Sequence, residues 1–198
     1  MTAAPDDPWS GLTPDDLAAL LAEVRVDWWV CGGWALDLWL GEQTRSHGDM
    51  DVGCRTHDVV AFVDALDSWE AYRAEDGAIS ALPRPLTTPP RGMWLRRSGT
   101  RAWDIQLMPE EEASGRWRYR RDPTVERPFH EVVWRADAGL LVLRPEVQLL
   151  YKAKDVRPQD QADFDRVLPT LGPHAREWLA GALRATAPAS PWLGRLEP

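Results

Sequence analysis

One stretch near the N-terminus, Val30 to Val52, constrains this chain more than any other. Val30-Cys31-Gly32-Gly33-Trp34-Ala35-Leu36-Asp37-Leu38-Trp39-Leu40-Gly41 reads as a strand end, paired glycines and a short apolar helix closed by glycine. A polar turn through Thr44-Arg45-Ser46-His47-Gly48 then leads to Asp49-Met50-Asp51-Val52, the start of a second strand. Strand side chains alternate in direction, so Asp49 and Asp51 share a face. Two carboxylates that close repel unless a cation sits between them. Their hard oxygens suit magnesium. Paired glycines let the backbone approach something bulky and anionic, such as a triphosphate. The combination points to phosphoryl chemistry with a metal.

The rest of the composition narrows the class. The chain has 198 residues, enough for one domain or one domain with a small appendage, and 44% of them are hydrophobic. A formal net charge of −8 argues against a protein that coats nucleic acid, while leaving room for a local basic pocket. No apolar run approaches the roughly 20 residues that span a bilayer. The start, Met-Thr-Ala-Ala-Pro-Asp-Asp-Pro, lacks the basic and apolar regions of a signal peptide. With Cys31 and Cys54 as the only cysteines, the expectation is two buried free thiols in a reduced cytoplasm, not a disulfide framework. No Cys/His spacing makes a zinc site. The 12 tryptophans are expected in the core or in pocket walls.

Taken in order, residues 1–11 are rich in Pro and Asp and are expected to be loose. Thr13-Pro14-Asp15-Asp16 opens a helix, with Thr13 as cap and Pro14 at the first helical position. Trp28 to Cys31 and Asp49 to Cys54 read as neighbouring strands, and Thr56 as the cap of the helix that follows. Residues 69–82 hold one strand, followed by a proline-rich loop to Gly92. Met93 to Arg97 and Ala102 to Met108 read as a hairpin whose second strand carries Asp104 among apolar neighbours, with Gln106 on the same face. Trp117 to Arg121 and Glu131 to Trp134 are expected to pair, and Leu140 to Leu143 is a short strand. Helices follow from Pro145, Pro158 and Pro173, then a tail over 188–198 expected to be loose. The expectation is an α+β fold, a mixed β-sheet with flanking helices over 12–143, followed by a small helical part over 144–187.

These residues resemble the nucleotidyltransferase superfamily, which has the fold of DNA polymerase beta. The resemblance rests on Gly32-Gly33, on Asp49-Met50-Asp51, and on a third acid, Asp104, on a distant strand. The longer strings Gly-Gly-Trp-Ala-Leu-Asp and Thr-Arg-Ser-His-Gly-Asp-Met-Asp are most similar to the aminoglycoside-2″-adenylyltransferase and lincosamide nucleotidyltransferase group. Pro145 to Lys154 and Asp160 to Leu168 match the helical tail of that group. The resemblance implies magnesium-dependent transfer of a nucleoside monophosphate, AMP first among them, from a nucleoside triphosphate to a hydroxyl of a small molecule. That molecule would be an aminoglycoside-like or lincosamide-like compound. Asp49 and Asp51 would hold the metal, and Asp104 would complete the site or act as general base. Gly32 and Gly33 would offer N–H groups to the β/γ-phosphates. Where many members of the superfamily carry serine, this chain has Trp34, as the antibiotic-modifying group often does. Phosphate contacts would then fall on backbone, Arg45 and Lys152.

Other readings stay open beside these. His47 either lines the site or bonds within its turn, and Asp37 is expected to fix that loop. Lys152 either reaches phosphate or lies at the surface. The run Arg116-Trp117-Arg118-Tyr119-Arg120-Arg121 reads as a half-buried strand with a charged outer face, more readily than as a nucleic-acid platform. Glu110-Glu111-Glu112 reads as a solvated turn, ahead of the alternative of an acidic wall that would welcome a cationic acceptor such as an aminoglycoside. An alternative function is a catalytically silent nucleotide-binding or regulatory protein, or a toxin–antitoxin component, of the same fold.

Overall fold

The computed structural model describes residues 4–75, 77–137 and 139–196. The chain opens with α1 (Pro14–Leu20), whose cap is the one expected. Thr13 Oγ1 accepts the Asp16 N–H at 3.2 Å, and the Asp16 carboxylate accepts the Thr13 N–H at 3.0 Å. β1 (Trp28–Val30) then runs into α2 (Gly32–Leu40), and β2 (Asp51–Arg55) returns antiparallel to β1, with Val30 opposite Val52. Cys31 and Cys54 are buried free thiols, as expected.

Thr56 does not cap the next helix. Its hydroxyl instead donates to the Glu110 carbonyl at 3.1 Å, and a 3-10 turn (Thr56–Asp58) intervenes before α3 (Val59–Asp64). Where one strand was expected, two form an antiparallel pair: β3 (Trp69–Glu75) and β4 (Ala78–Ala81). The expected hairpin is β5 (Met93–Arg97) against β6 (Ile105–Ala113), with Met93 opposite Leu107. β6 runs on through Glu110-Glu111-Glu112, so this segment is not a solvated turn. It continues because it gains a further partner, β7 (Arg116–Arg118), which pairs in turn with β8 (Glu126–Pro128). The charges across that last pair are complementary, with Arg116 and Arg118 on Glu126. β9 (Val133–Arg135) does not pair with β7 as expected, but with β10 (Leu141–Leu143).

Among the described residues the strands make one mixed sheet in the order β4-β3-β5-β6-β2-β1-β10-β9, with β7 and β8 extending from β6. The β2–β6 and β1–β10 pairs are parallel and the other pairs are antiparallel. This is the α+β arrangement expected, with the Asp51 strand at the middle of the sheet and therefore held on both edges. α4 (Pro145–Lys152), α5 (Pro158–Val167) and α6 (Pro173–Thr186) follow, then α7 (Leu193–Leu196). No helix among the described residues is long and apolar enough to cross a membrane.

Both ends of the chain, expected to be loose, contribute packed residues. Near the start, Asp7 is buried against Arg96 and Arg101, and the backbone around it exchanges hydrogen bonds with Trp103. Near the end, Trp192 is 1% exposed and stacks on Phe164 with ring centroids 4.3 Å apart. Its indole N–H donates to Gln161 Oε1 at 2.8 Å. Proline-rich composition at both ends, with Asp at the first, concealed these anchors, because one tryptophan carries enough apolar area to pin a short segment. Trp192→Ala should therefore destabilise the protein by about 3 kcal/mol, read as a lower urea midpoint at unchanged slope.

Candidate active site

The site is a cleft of about 720 Å³ that opens where β1 hands over to α2 and β2 begins. Asp49 and Asp51 both line it. Met50 between them is buried, so the alternation read from the sequence holds, although only Asp51 belongs to the strand and Asp49 lies in the bend before it. The two glycines have separate steric reasons. Gly32 has φ +67°, and a Cβ on it would lie 2.0 Å from Asp51 Oδ2. A Cβ on Gly33 would lie 2.4 Å from the Arg45 guanidinium and from the His47 ring. Glycine at 32 is therefore what lets the carboxylate rest against the chain, and glycine at 33 is what lets the Arg45–His47 loop close over the start of α2.

That loop is fixed from inside. Asp37 on α2 accepts from Thr44 Oγ1 at 2.7 Å and meets His47 Nε2 at 2.5 Å. The His47 ring packs on Trp34 with centroids 4.5 Å apart. His47 thus bonds within its turn, one of the two roles open to it in the sequence. Neither Trp34 nor His47 lines the cleft. They set the course of the backbone from Arg45 to Asp49 and offer a phosphate nothing directly. Asp37 fixes the loop, as expected.

Gly32 presents its N–H to Gln148 Oε1 of α4 at 2.8 Å, so this donor already has a partner. Lys152 lines the cleft, but its ammonium is buried and sits 2.9 Å from Asp160 and 3.0 Å from Asp163. These two acids in turn hold Arg157 at 2.8 Å and Arg45 at 3.4 Å, and both guanidiniums line the same cleft. Lys152 is therefore the post at the centre of a network that aims two arginines. The Asp160 carboxyl is held down at about 2: the Arg157 and Lys152 hydrogen bonds outweigh the opposing effect of burial.

Asp104 is not brought to this cleft. It is buried, with one oxygen accepting the Arg97 N–H at 2.9 Å and the other accepting from the Arg97 guanidinium at 2.9 Å. The residue of β6 in register with Asp51 is Gln106, two positions further along, and Gln106 lines the cleft. The structure thus places Asp104 outside the lining of the cleft, buried and bonded to Arg97 across the β5–β6 hairpin.

Three cleft residues were misplaced or missed in the sequence. Glu110 lines the wall, buried, and accepts from Trp117 Nε1 at 2.9 Å and Tyr151 Oη at 2.7 Å. Burial raises its carboxyl above the usual range against those two hydrogen bonds. Arg120 and Arg121 also line the cleft, whereas Arg116 and Arg118 form the charged outer face that was expected. The split follows from where the strand ends: β7 stops at Arg118, and Arg120 and Arg121 lie in the turn beyond it, where alternation no longer governs direction.

The Asp51 carboxyl is pushed up to about 7, first by burial and then by the charge of Asp49, with Lys152, Arg120 and Arg157 pulling the other way. The pair therefore holds more negative charge than its surroundings offset, as a cation site does. No cluster of three or more His, Cys, Asp or Glu among the described residues forms a ready-made metal cage. The donor set fits magnesium, which is commonly held by one or two carboxylates with substrate phosphates completing its shell. The sign of the pH effect follows. In the metal-free protein the folded state keeps a proton on Asp51 that the unfolded chain releases near the ordinary carboxylate pKa. Stability falls as pH rises from about 4 and levels off once pH passes about 7. Denaturant midpoints of metal-free protein at about pH 5 and about pH 7.5 should show this loss. Asp51→Asn should reduce it, and magnesium should reverse it in the wild type alone.

Residues 15–77 match the family model described as Aminoglycoside-2''-adenylyltransferase, and this segment contains Gly32, Gly33, Asp49 and Asp51. No curated protein sequence gives a match. Among solved structures, the lincosamide antibiotic adenylyltransferase LnuA in its lincomycin-bound form superposes with a TM-score of 0.57 at 18% identity, over 80% of this chain and 98% of that one. ANT(2'')-Ia in complex with adenylyl-2''-tobramycin superposes with a TM-score of 0.59 at 15% identity, over 86% of this chain and 95% of that one. At such identities the likeness is one of fold. With the family match, it bears out the resemblance to this group of nucleotidyltransferases read from the sequence.

Proposed function

We propose that the chain is a nucleotidyltransferase that moves a nucleoside monophosphate, AMP first among candidates, from a nucleoside triphosphate to a hydroxyl of a small molecule. The observation that carries this reading is the close approach of Asp51 to Gly32 in a cleft that Asp49 also lines, inside the segment matched by the family. Asp49 and Asp51 would hold magnesium, which when bound neutralises phosphate charge and orients the triphosphate.

The remaining roles fall to this chain's own residues. Arg45 and Arg157, aimed by Asp163 and Asp160, face the cleft as donors for phosphate oxygens. Lys152 holds both acids in place and stands behind that grip. Gly33, with no side chain, lets Arg45 lie against the start of α2 at the cleft wall. In the transfer the acceptor oxygen bonds to the α-phosphorus, the α–β bridging bond breaks, and pyrophosphate leaves with that electron pair. The acceptor's proton passes to the cleft carboxylates, since Gln106, at the register position opposite Asp51, has no basic oxygen to take it.

Relatives of one fold take many acceptors, so the hydroxyl compound is defined here by class. A hydroxylated antibiotic of the kinds in the two similar structures belongs in the acceptor panel. Asp49→Asn and Asp51→Asn should each lower pyrophosphate release from ATP by about a thousandfold or more with the fold retained. Asp104→Asn should behave oppositely, costing about 2 kcal/mol of stability through its lost pairing with Arg97 while leaving the rate within about tenfold. Equal loss of rate in all three variants would return Asp104 to the chemistry.

A further inference from the structure

The cleft continues into a side hollow of about 550 Å³ between β6 and the 89–92 loop, and the two spaces share Gln106, Met108, Arg120, Arg121 and Lys154, the last paired with Asp155 at 3.7 Å. The charges around this hollow are unbalanced. Among the described residues, Arg120 reaches the Arg91 carbonyl at 3.4 Å and Met108 Sδ at 4.0 Å. Arg121 reaches the Tyr151 carbonyl at 2.8 Å and Tyr119 Oη at 3.2 Å. Both guanidiniums lie 5.5 Å from the centre of the Tyr151 ring. None of these partners is a carboxylate. Glu110, whose charge both arginines feel, gives its oxygens to Trp117 and Tyr151. Of the two acids on the hollow, Glu75 already accepts from the Arg91 N–H and from Arg73, and Glu111 is exposed to solvent.

The strand order separates these arginines from the phosphate grip. β1 leads into α2 and the Arg45 loop on one side of β2, while β6, whose Gln106 and Met108 line the hollow, lies on the other. Arg45 and Arg157 belong to the first side through Asp163 and Asp160, and Arg120 and Arg121 to the second. In a chain of net charge −8, two guanidiniums held beside a cavity by neutral acceptors are a local exception that a neutral or cationic ligand would not use.

We propose that the side hollow receives the hydroxyl acceptor, and that this acceptor carries an anionic group, a carboxylate or a phosphate, held by Arg120 and Arg121. This rests on the nucleotidyl-transfer reading and narrows its substrate class. Guanidinium pairs with either anion through charge-assisted, often bidentate, hydrogen bonds. The Tyr151 ring and Met108 provide apolar surface for the body of the molecule. A polycationic aminoglycoside would meet like charge here.

Calorimetry on the full chain with magnesium and a non-hydrolysable ATP analogue tests the assignment. Glucose 6-phosphate and gluconate serve as anionic probes, and glucose and tobramycin as neutral and cationic ones. The expected result is that an anionic probe binds the nucleotide-loaded protein at least about tenfold more tightly than glucose. Arg120→Gln and Arg121→Gln should each remove that preference while the analogue still binds. Preference for tobramycin, or binding of neither anion, overturns the proposal. Competition between the anion and the analogue also overturns it, because the two arginines would then serve the triphosphate. Failure of the analogue itself to bind is a distinct outcome that overturns the transfer reading and this one with it.

Discussion

The contact on which the rest of the site depends is the approach of the Asp51 carboxylate to the backbone of Gly32, where no Cβ could be accommodated. It joins the two halves of the opening motif. β2 carries the acid, and the turn into α2 carries the backbone that the acid rests against. The Cys31 N–H donates to the Asp51 carbonyl at 2.9 Å, which sets the spacing of the two strands at that level. Burial of the carboxylate follows from the same contact, and burial is the first reason its pKa rises. Sterics at a glycine thus become electrostatics at an acid, and the acid pair becomes a place for a cation.

The positive charge of the cleft is organised by a second element, the helical part after β10. Lys152 at the end of α4 fixes Asp160 and Asp163 of α5, and these hold Arg157 and Arg45. A buried ammonium between two carboxylates gains little net stability, because desolvation offsets most of the attraction. What the arrangement does provide is direction: two flexible arginines held at the cleft, Arg45 against the glycine turn and Arg157 beside Asp160. The same α4 supplies Gln148 to the Gly32 N–H. The helical part is therefore tied to the glycine turn by both a hydrogen bond and an ion network, and the cleft between them has a defined width.

Much of this was legible in the sequence. The glycine pair, the Asp49–Asp51 spacing, the Thr13 cap and the placing of β1 beside β2 all follow from local rules whose range is a few residues. What was misread depends on distance. Asp104 and Gln106 share a strand face, so periodicity treats them alike, yet one pleat repeat is about 7 Å along the strand. That step separates an acid bonded to Arg97 from the amide that stands in register with Asp51. Glu110 was hidden for a related reason: an acid triplet reads as solvated unless one knows that Trp117 and Tyr151 will close over its first member. Arg120 and Arg121 were hidden because the strand ends at Arg118 and a turn carries both to the cleft.

The two-carboxylate site has a consequence for the order of binding. With Asp104 paired to Arg97 and no cluster of three or more His, Cys, Asp or Glu among the described residues, a divalent ion placed in the cleft alone would take most of its ligands from water. Magnesium gives up that water reluctantly, and its usual protein sites of this kind are completed by substrate phosphates. Metal and triphosphate should therefore bind with positive coupling, each raising the affinity of the other by the same factor. The raised Asp51 pKa adds a proton to this linkage, because the carboxyl must lose it before it can bind metal. A lower pH would then weaken the proposed metal–triphosphate complex through Asp51.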